Sequence, residues 1–177
     1  MKKALFVLVA LFMFSISCNE LDQFTMFDIE YSMSLSIPDL LKSSVPIEIW
    51  APPIATHSDS IFDRYQTSPG LIEEVTLTQM RLVMASPAGS TFGFLNSIAF
   101  SLASENQTEK EIGWEYDIPK DAKDTLMLET TPDDLRFYIT EDTLRLKASL
   151  LVDSLLHLES VIKMDLIFHV DAKILGI

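Results

Sequence analysis

Two long stretches of alternating apolar and polar residues constrain the fold of this chain more than any other feature. Residues 162–174 place an apolar side chain at every second position, and residues 27–37 do the same with Asp, Glu and Ser between. Successive side chains of a β-strand point to opposite faces, so this pattern predicts strands with one buried face and one wet face. An amphipathic helix would instead repeat its apolar residues every three or four positions.

Shorter segments of the same kind lie between these two. They are residues 45–51, 71–84, 92–103, 112–118, 125–129 and 144–152. In residues 71–84, Val75 and Leu77 share one face, whereas Met80, Leu82 and Met84 share the other. This change of phase predicts a β-bulge, or a strand that passes from one sheet to the other. We expect neighbouring strands to pair as a meander, with Ile112 and Trp114 on one face.

One short helix is predicted among the strands. Thr131-Pro132-Asp133-Asp134 supplies a capping hydroxyl, a proline suited to the first turn and acids that favour the positive end of the helix dipole. Leu135, Tyr138 and Ile139 then form its apolar stripe. Residues 54–70 are polar and irregular, and predict a loop.

About eight strands, each with one apolar face, and one short helix predict an all-β protein. The apolar faces must be buried against each other, and the usual arrangement is a two-sheet antiparallel sandwich. We expect the long first and last strands to pair at its centre, with Phe168 facing the core and His169 facing outward. A closed barrel around a ligand is the alternative, because Tyr31, Trp114 and Phe168 could line a cavity.

The N-terminal segment predicts export. Lys2 and Lys3 precede the apolar run 4–14, and the small residues Ser15-Ile16-Ser17 follow it. These are the parts of a secretory signal peptide, which we assign to residues 1–17. The apolar run is shorter than the roughly 20 residues that a transmembrane helix needs.

Cys18 distinguishes two ways of processing this signal. An ordinary signal peptidase would cut after Ser17 and release a soluble protein, whereas lipidation would make Cys18 the mature N-terminus. Cys18 is the only cysteine, so it has no disulfide partner within the chain, and it lies at the cleavage point, as lipidation requires. We therefore expect a lipid on Cys18, a lipidated N-terminus and tether at residues 18–23 and a β-sandwich domain at residues 24–177.

The charge of the chain excludes some partners. Twenty-six acidic residues face thirteen basic ones, for a net charge of −13, whereas nucleic-acid binding needs basic patches. The same acidity disfavours electrostatic docking on anionic lipid, so the lipid on Cys18 is expected to hold the protein on its membrane. Plain solubility explains the acidity without any partner.

Motifs that carry chemistry are scarce. With only five glycines, no Gly-rich phosphate loop occurs, and HExxH, CxxC and EF-hand spacings are absent from the sequence. His57-Ser58-Asp59 contains the residue types of a catalytic triad, but adjacency in sequence does not make a triad. Asp133-Asp134 fits a helix start, and His169 between Asp165 and Asp171 fits a solvated strand face better than a metal site. We expect no cofactor, no metal and no catalytic residue.

Four surface motifs match the Asp-Ser/Thr-apolar pattern that Bacteroidota-type bacteria O-glycosylate outside the cytoplasm. They are Asp59-Ser60-Ile61, Asp124-Thr125-Leu126, Asp142-Thr143-Leu144 and Asp153-Ser154-Leu155. Ser60, Thr125, Thr143 and Ser154 are therefore candidates for O-glycosylation. The alternative is that each aspartate caps a turn. Asn106-Gln107-Thr108 fits the N-glycosylation sequon, which a bacterial lipoprotein would rarely use.

A family resemblance follows from several runs of residues. They are the lipobox-like start before Cys18, Val75-Thr76-Leu77-Thr78, Ser86-Pro87-Ala88-Gly89 and Phe92-Gly93-Phe94-Leu95-Asn96-Ser97-Ile98. The chain resembles small uncharacterised β-sandwich lipoproteins of Bacteroidota-type bacteria, although Ser15 replaces the usual lipobox leucine. Glu20 and Asp22 also resemble the export signal of surface-exposed lipoproteins. The resemblance implies an envelope location and carries over no catalytic residue. Asn19, Glu20 and Asp22 after the cysteine favour the outer membrane, and we expect an envelope protein or a glycan as the partner.

Three functions are consistent with this sequence. The first is a non-enzymatic, lipid-anchored binding or accessory module of the cell envelope. The second is a carrier that holds an acyl chain or another apolar ligand between its sheets. The third, an envelope hydrolase, has the least support because the sequence shows no nucleophile or metal constellation.

Overall fold

The computed structural model describes residues 26–39, 42–104, 106–155 and 159–173. These residues form ten strands and two short α-helices, so the predicted all-β class is confirmed with two more strands and one more helix than expected. The elements are β1 (Met26–Ile37), β2 (Ile47–Trp50), β3 (Ile54–Ala55), α1 (Ser58–Arg64), β4 (Ile72–Ser86), β5 (Leu95–Ala103), β6 (Lys110–Glu115), β7 (Thr125–Met127), β8 (Glu129–Thr130), α2 (Arg136–Ile139), β9 (Thr143–Val152) and β10 (Ser160–Ala172).

The strands form the predicted two-sheet sandwich. The four-stranded sheet has the order β1-β10-β4-β7, and the six-stranded sheet has the order β2-β9-β5-β6-β8, with β3 also paired to β9. Each strand pair is antiparallel. Phe168 and Leu82 of the smaller sheet and Phe100 and Leu150 of the larger sheet are all fully buried in one core. Two separate sheets therefore replace the alternative of a closed barrel.

Strand β10 is central, as predicted. It pairs with β1 from Met26↔Asp171 to Ile37↔Ser160, and with β4 on its other side. The inward residues from Ile162 to Ala172 are buried, as the alternation requires, whereas Ile174 lies outside the described residues. The first strand does pair with the last, but it lies at the edge of the sheet rather than at its centre.

The change of phase in β4 is a β-bulge. Phe168 of β10 lies opposite Leu77, and the next residue back, Ile167, lies opposite Gln79, so Thr78 is the extra residue. Val75 and Leu77 before the bulge and the apolar residues after it are buried on the same side. The bulge thus restores the apolar face to the core.

Three expectations about pairing and phase are wrong. Strands β4 and β5 lie in different sheets, so the meander reduces to the pairing of β5 with β6. The expected single strand 125–129 divides between both sheets, since β7 pairs with β4 and β8 with β6. A register shift in the β5–β6 pair also separates Ile112, which is buried, from Trp114, which is half-buried opposite Ala99.

The helices also differ from expectation. Residues 54–70, expected as a loop, contain β3 and α1. Helix α2 begins at Arg136 with Leu135 at its N-cap and no side-chain capping bond, so Thr131 is not its cap. Its predicted stripe of Leu135, Tyr138 and Ile139 is buried. In the described part of the chain, no helix has the length and apolarity to cross a membrane.

Candidate functional site

The candidate functional site is an open groove along the outer edge of β1, called here the β1 groove. Its volume is about 650 Å³, and its two walls are residues 30–34 of β1 and residues 52–57 with Ile61. The β1 wall contains consecutive residues, whose side chains point alternately to the two faces of the strand. The groove therefore faces the edge of the strand and not one of its faces.

The groove exists because two sheet edges meet there without closing. Strand β1 ends the four-stranded sheet, and β2 ends the path of the six-stranded sheet. Ala51 and then Pro52-Pro53 follow Trp50 of β2, and β3 has only two residues. Proline has no N–H to donate to a ladder, so this wall of the sandwich cannot extend toward β1 as a regular strand.

The floor of the β1 groove is apolar. Met33, Ile54 and Ile61 pack on the core while remaining partly exposed. Tyr31 is buried, and its hydroxyl donates a hydrogen bond of 3.0 Å to the carbonyl oxygen of Thr56, which joins the two walls. Burial raises the pKa of Tyr31 to about 12, so the hydroxyl remains a neutral donor at neutral pH.

The far wall is fixed by buried polar contacts. Thr56 is fully buried, donates from its N–H to the carbonyl of Asp142 (3.0 Å), and from its hydroxyl to the carbonyl of Glu141 (2.6 Å). His57 then takes a left-handed conformation (φ 52°) at the N-cap of α1, which costs a non-glycine residue about 1–2 kcal/mol. Ser60 donates to the carbonyl of His57 at 2.9 Å. Such contacts hold this wall in place before any ligand arrives.

The edge of β1 offers unpaired backbone groups. One side of the strand is paired with β10 along its whole length. Within the described residues, no backbone group of residues 26–37 has a hydrogen bond to the backbone on the other side. Glu30 is exposed on the rim, and Asp28 lies two residues before it on the same face. The site thus combines strand-edge donors and acceptors that no described residue pairs, an apolar floor and an acidic rim.

The residues that the sequence analysis considered for catalysis make hydrogen bonds or ion pairs with neighbouring residues. Ser58 of the His57-Ser58-Asp59 triplet is buried and lies 3.3 Å from the hydroxyl of Thr56. Asp133 is 2.7 Å from the ammonium of Lys110. Asp134 accepts hydrogen bonds from the N–H groups of Val75 and Arg136. The Lys110 ammonium and the Thr131 hydroxyl lower the pKa of Asp133.

His169, which we expected on a solvated strand face rather than in a metal site with Asp165 and Asp171, contacts a residue of the neighbouring strand. Its Nδ1 atom lies 2.8 Å from Asp28 of β1. Asp165 instead accepts a hydrogen bond of 2.6 Å from the Ser32 hydroxyl. This bond, and to a smaller extent the Lys163 ammonium, lowers the pKa of the Asp165 carboxyl. The described residues contain no group of three His, Cys, Asp or Glu side chains that could hold a metal ion. His157 lies outside the described residues.

The four candidate glycosylation sites lie on the surface. Thr125 and Thr143 are the first residues of β7 and β9, Ser154 follows the end of β9, and Ser60 lies in α1. Thr125 is half-buried and the other three are exposed. Asn106 of the N-glycosylation sequon donates to the Glu141 carboxylate at 3.1 Å. The lipidation candidate Cys18 and the tether 18–23 lie outside the described residues.

Sequence reasoning did not find the β1 groove. Two signals for it are visible in the sequence. Pro52-Pro53 ends an apolar segment, and residues 30–34 of the first strand contain neither lysine nor proline, which natural edge strands often carry as protection. These signals have meaning only once β1 is known to be an edge strand.

Comparisons with known proteins do not identify a family. No family model matches the sequence, and no curated protein matches it. Among solved structures, the chain is similar to the decameric BFDV capsid protein, with 8% sequence identity and a TM-score of 0.33 over 82% of this chain and 99% of that chain. For Cocksfoot mottle virus the values are 8% and 0.33 over 85% of each chain. For Desmodium yellow mottle tymovirus they are 9% and 0.25 over 86% and 91%. At such TM-scores the likeness carries no argument.

Proposed function

We propose that this protein is an exported, lipid-anchored binding module of the cell envelope that performs no catalysis. A lipid on Cys18 holds it on the outer membrane, and the β1 groove is its binding surface. The observation that carries the proposal is the groove itself, since an apolar floor, a fixed wall and an unpaired strand edge together suit a ligand.

The position of the anchor supports this proposal. Residues 19–25 separate Cys18 from the start of β1 at Met26. At about 3.4 Å per extended residue, this segment spans at most about 24 Å. A lipid on Cys18 would therefore keep the groove close to the membrane surface, where an envelope protein or glycan can reach it.

The two alternatives have less support. An acyl carrier would hold its ligand between the sheets, but Phe100 and Phe168 are fully buried there and fill that space. A hydrolase would need an activated nucleophile, but Ser58 is buried against Thr56. A surface that binds another molecule needs neither an internal cavity nor a nucleophile.

The anchor is tested by changing Cys18 in the full chain in its native host. Cys18→Ser should move the protein from the membrane fraction to the soluble fraction and abolish incorporation of labelled fatty acid. Ser15→Leu is the matched control, because it brings the signal closer to the usual lipobox and should leave anchoring unchanged. If Cys18→Ser still sediments with membranes at the wild-type yield, the lipid-anchor proposal is wrong.

Glycosylation of Ser60, Thr125, Thr143 or Ser154 is a second proposal, supported by their positions at the surface. The intact mass of the host-expressed protein should exceed the mass of polypeptide plus lipid. Replacing each of the four hydroxyl residues by alanine, singly, should remove the excess from the position that carries the glycan. A mass equal to polypeptide plus lipid alone would remove this proposal.

A further inference from the structure

We propose that the β1 groove binds an extended peptide segment of a partner protein, which adds to the four-stranded sheet as a strand beside β1. This segment would carry apolar residues at alternate positions and basic residues between them. The inference deepens the proposed function, because it names the class of partner for the same site. It rests on the geometry of the strand edge, the alternating chemistry of the groove and the charge of the chain.

The backbone of β1 determines the form of the ligand. Strand addition uses the N–H and C=O groups of an exposed sheet edge, and an extended peptide satisfies them in a regular ladder. Strand β1 spans twelve residues, which all pair with β10 on one side, and no described strand pairs with its other side. The opposite wall contains Pro52 and Pro53, which cannot donate backbone hydrogen bonds. A bound peptide would therefore pair with β1 and make side-chain contacts with the other wall.

The side chains around the groove determine the sequence pattern of the ligand. Met33, Ile54 and Ile61 are apolar and face the seam between the sheets. Ser32 and Ser34 are exposed on the other face of β1. Because the side chains of a strand alternate, one set from the peptide would cover the apolar floor and the other would face water. The groove thus selects an alternating peptide over a uniformly polar one.

The charge of the chain favours a basic ligand and disfavours a second copy. Glu30 lines the groove, and Asp28 lies on the same exposed face. Two copies of a chain with net charge −13 repel each other. Of the segments that the structure does not describe, residues 40–41, 105, 156–158 and 174–177 are too short to supply a strand of about five residues. Residues 18–25 carry Glu20 and Asp22, whose charges the acidic rim disfavours. A basic, alternating segment of another protein fits these facts.

The binding experiment uses the full chain purified in mild detergent and a fluorescently labelled peptide in which valine alternates with lysine. We expect saturable binding by fluorescence anisotropy, weakened by salt and absent for a peptide in which glutamate replaces lysine. Two further peptides carry N-methyl groups on one or the other set of alternate amides. Because a strand at an edge pairs through only one set, one N-methylated peptide should lose binding and the other should keep it.

Matched variants place the site on β1. Met33→Lys puts a cation into the groove floor, whereas Met127→Lys makes the same change on β7, the other edge of the same sheet. In Met33→Lys, a bound peptide would bury the new charge and its own lysines would be repelled by it, so binding should weaken at least about tenfold. Met127→Lys lies outside the groove and should leave binding unchanged. Glu30→Lys, on the exposed rim, is a second variant in case Met33→Lys does not fold. Its control is Glu74→Lys on β4, which has the same change of charge and should bind normally.

Several results would overturn the inference. Equal binding of both N-methylated peptides would exclude strand pairing, and equal losses in Met33→Lys and Met127→Lys would exclude the groove. Binding of a labelled fatty acid but no peptide would favour the carrier, and binding of a peptide of residues 18–25 alone would make the occupant a part of this chain. If the free chain self-associates and Met33→Lys abolishes this association, the occupant is a second copy.

The anchor and the peptide site can fail separately. Because the binding assay is in detergent, Cys18→Ser should retain peptide binding even though it loses the anchor.

Discussion

The two edges of the four-stranded sheet are built in opposite ways. Strand β1 has twelve residues and faces an open groove, whereas β7 has three. Directly after β7 the chain turns inward at Leu128, which is buried and donates its N–H to Met80. Natural proteins shorten or charge their edge strands to prevent pairing with other chains. Strand β7 follows this rule by being short, whereas β1 remains long and carries Asp28 and Glu30, whose charges suit a basic partner strand. We therefore propose β1 as the binding edge.

The open edge of β1 does not make this strand loose. Its other edge is paired with β10 throughout, and Ile29, Leu35 and Ile37 are buried in the core. Apolar burial and one full ladder therefore hold β1 in place, and its outer groups take no part in that stability. An edge that is held in place from one side, and that no described residue pairs on the other, suits the addition of a strand, since little ordering of the receptor is needed.

The largest expected effect is on β10, the strand that lies between β1 and β4. Phe168 is fully buried, and its ring packs edge-on against Tyr31 of β1 with 5.9 Å between centroids. Phe168→Ala should cost about 3–5 kcal/mol, out of the 5–15 typical of a domain. Urea denaturation should show this loss, or soluble expression should fail. A cost below about 1 kcal/mol would mean that β10 is not central to the core.

The next prediction compares the two edges directly. Leu35 of β1 is almost fully buried, whereas Leu126 of β7 is partly exposed. Leu35→Ala should cost about 2–5 kcal/mol, and Leu126→Ala about 1 kcal/mol, because less apolar surface is lost at β7. Both values come from urea denaturation. Equal costs would show that the two edges contribute alike to the core and would remove the contrast between them.

Much of this sandwich could be predicted from the sequence. The faces of β1, β9 and β10 follow from period-two alternation, because each of these strands has one side on the core and one side toward water. The bulge at Thr78 was also predictable, since an extra residue must appear where the apolar phase changes. Local patterns of this kind record which face is buried.

The order of the strands could not be predicted in the same way. Strands β4 and β5 alternate equally well whether they pair with each other or lie in different sheets, and β7 and β8 are too short to show a preference. Gly113 lies where the two sheets approach closely, since a Cβ there would lie 2.8 Å from the sulfur of Met80 in the opposite sheet. The sequence alone does not show this approach. The β1 groove depends on this order. Helix α1 is preceded by His57 in a left-handed conformation, which sequence patterns do not reveal.

A smaller effect concerns the polar contact that joins β1 to β10 on the exposed face. The hydrogen bond from the Ser32 hydroxyl, and to a smaller extent the Lys163 ammonium, lowers the pKa of Asp165 below its ordinary value. A lowered folded-state pKa gives stability that is present above the unfolded-state pKa, near about 4, and is lost as pH falls through the folded-state value. Ser32→Ala should therefore destabilise the protein at pH 7, by about 1 kcal/mol or less, and the difference from wild type should shrink below about pH 4. A difference that is independent of pH would mean that Ser32 acts by packing.

The smallest expected effect is at His169, one residue from Phe168 but on the opposite face. Its Nδ1 contact with Asp28 also links β10 to β1, but the two side chains are 41% and 56% exposed. Exposed pairs of this kind contribute about 0–1 kcal/mol, because water screens the charges and the side chains lose freedom when they pair. His169→Ala should therefore change the free energy of unfolding by no more than about 0.5 kcal/mol. A double-mutant cycle with Asp28→Asn in urea should give a coupling energy within the same range. If His169→Ala cost as much as Phe168→Ala, both faces of β10 would be buried, and the four-stranded sheet would lie between two packed layers instead of having one face toward water.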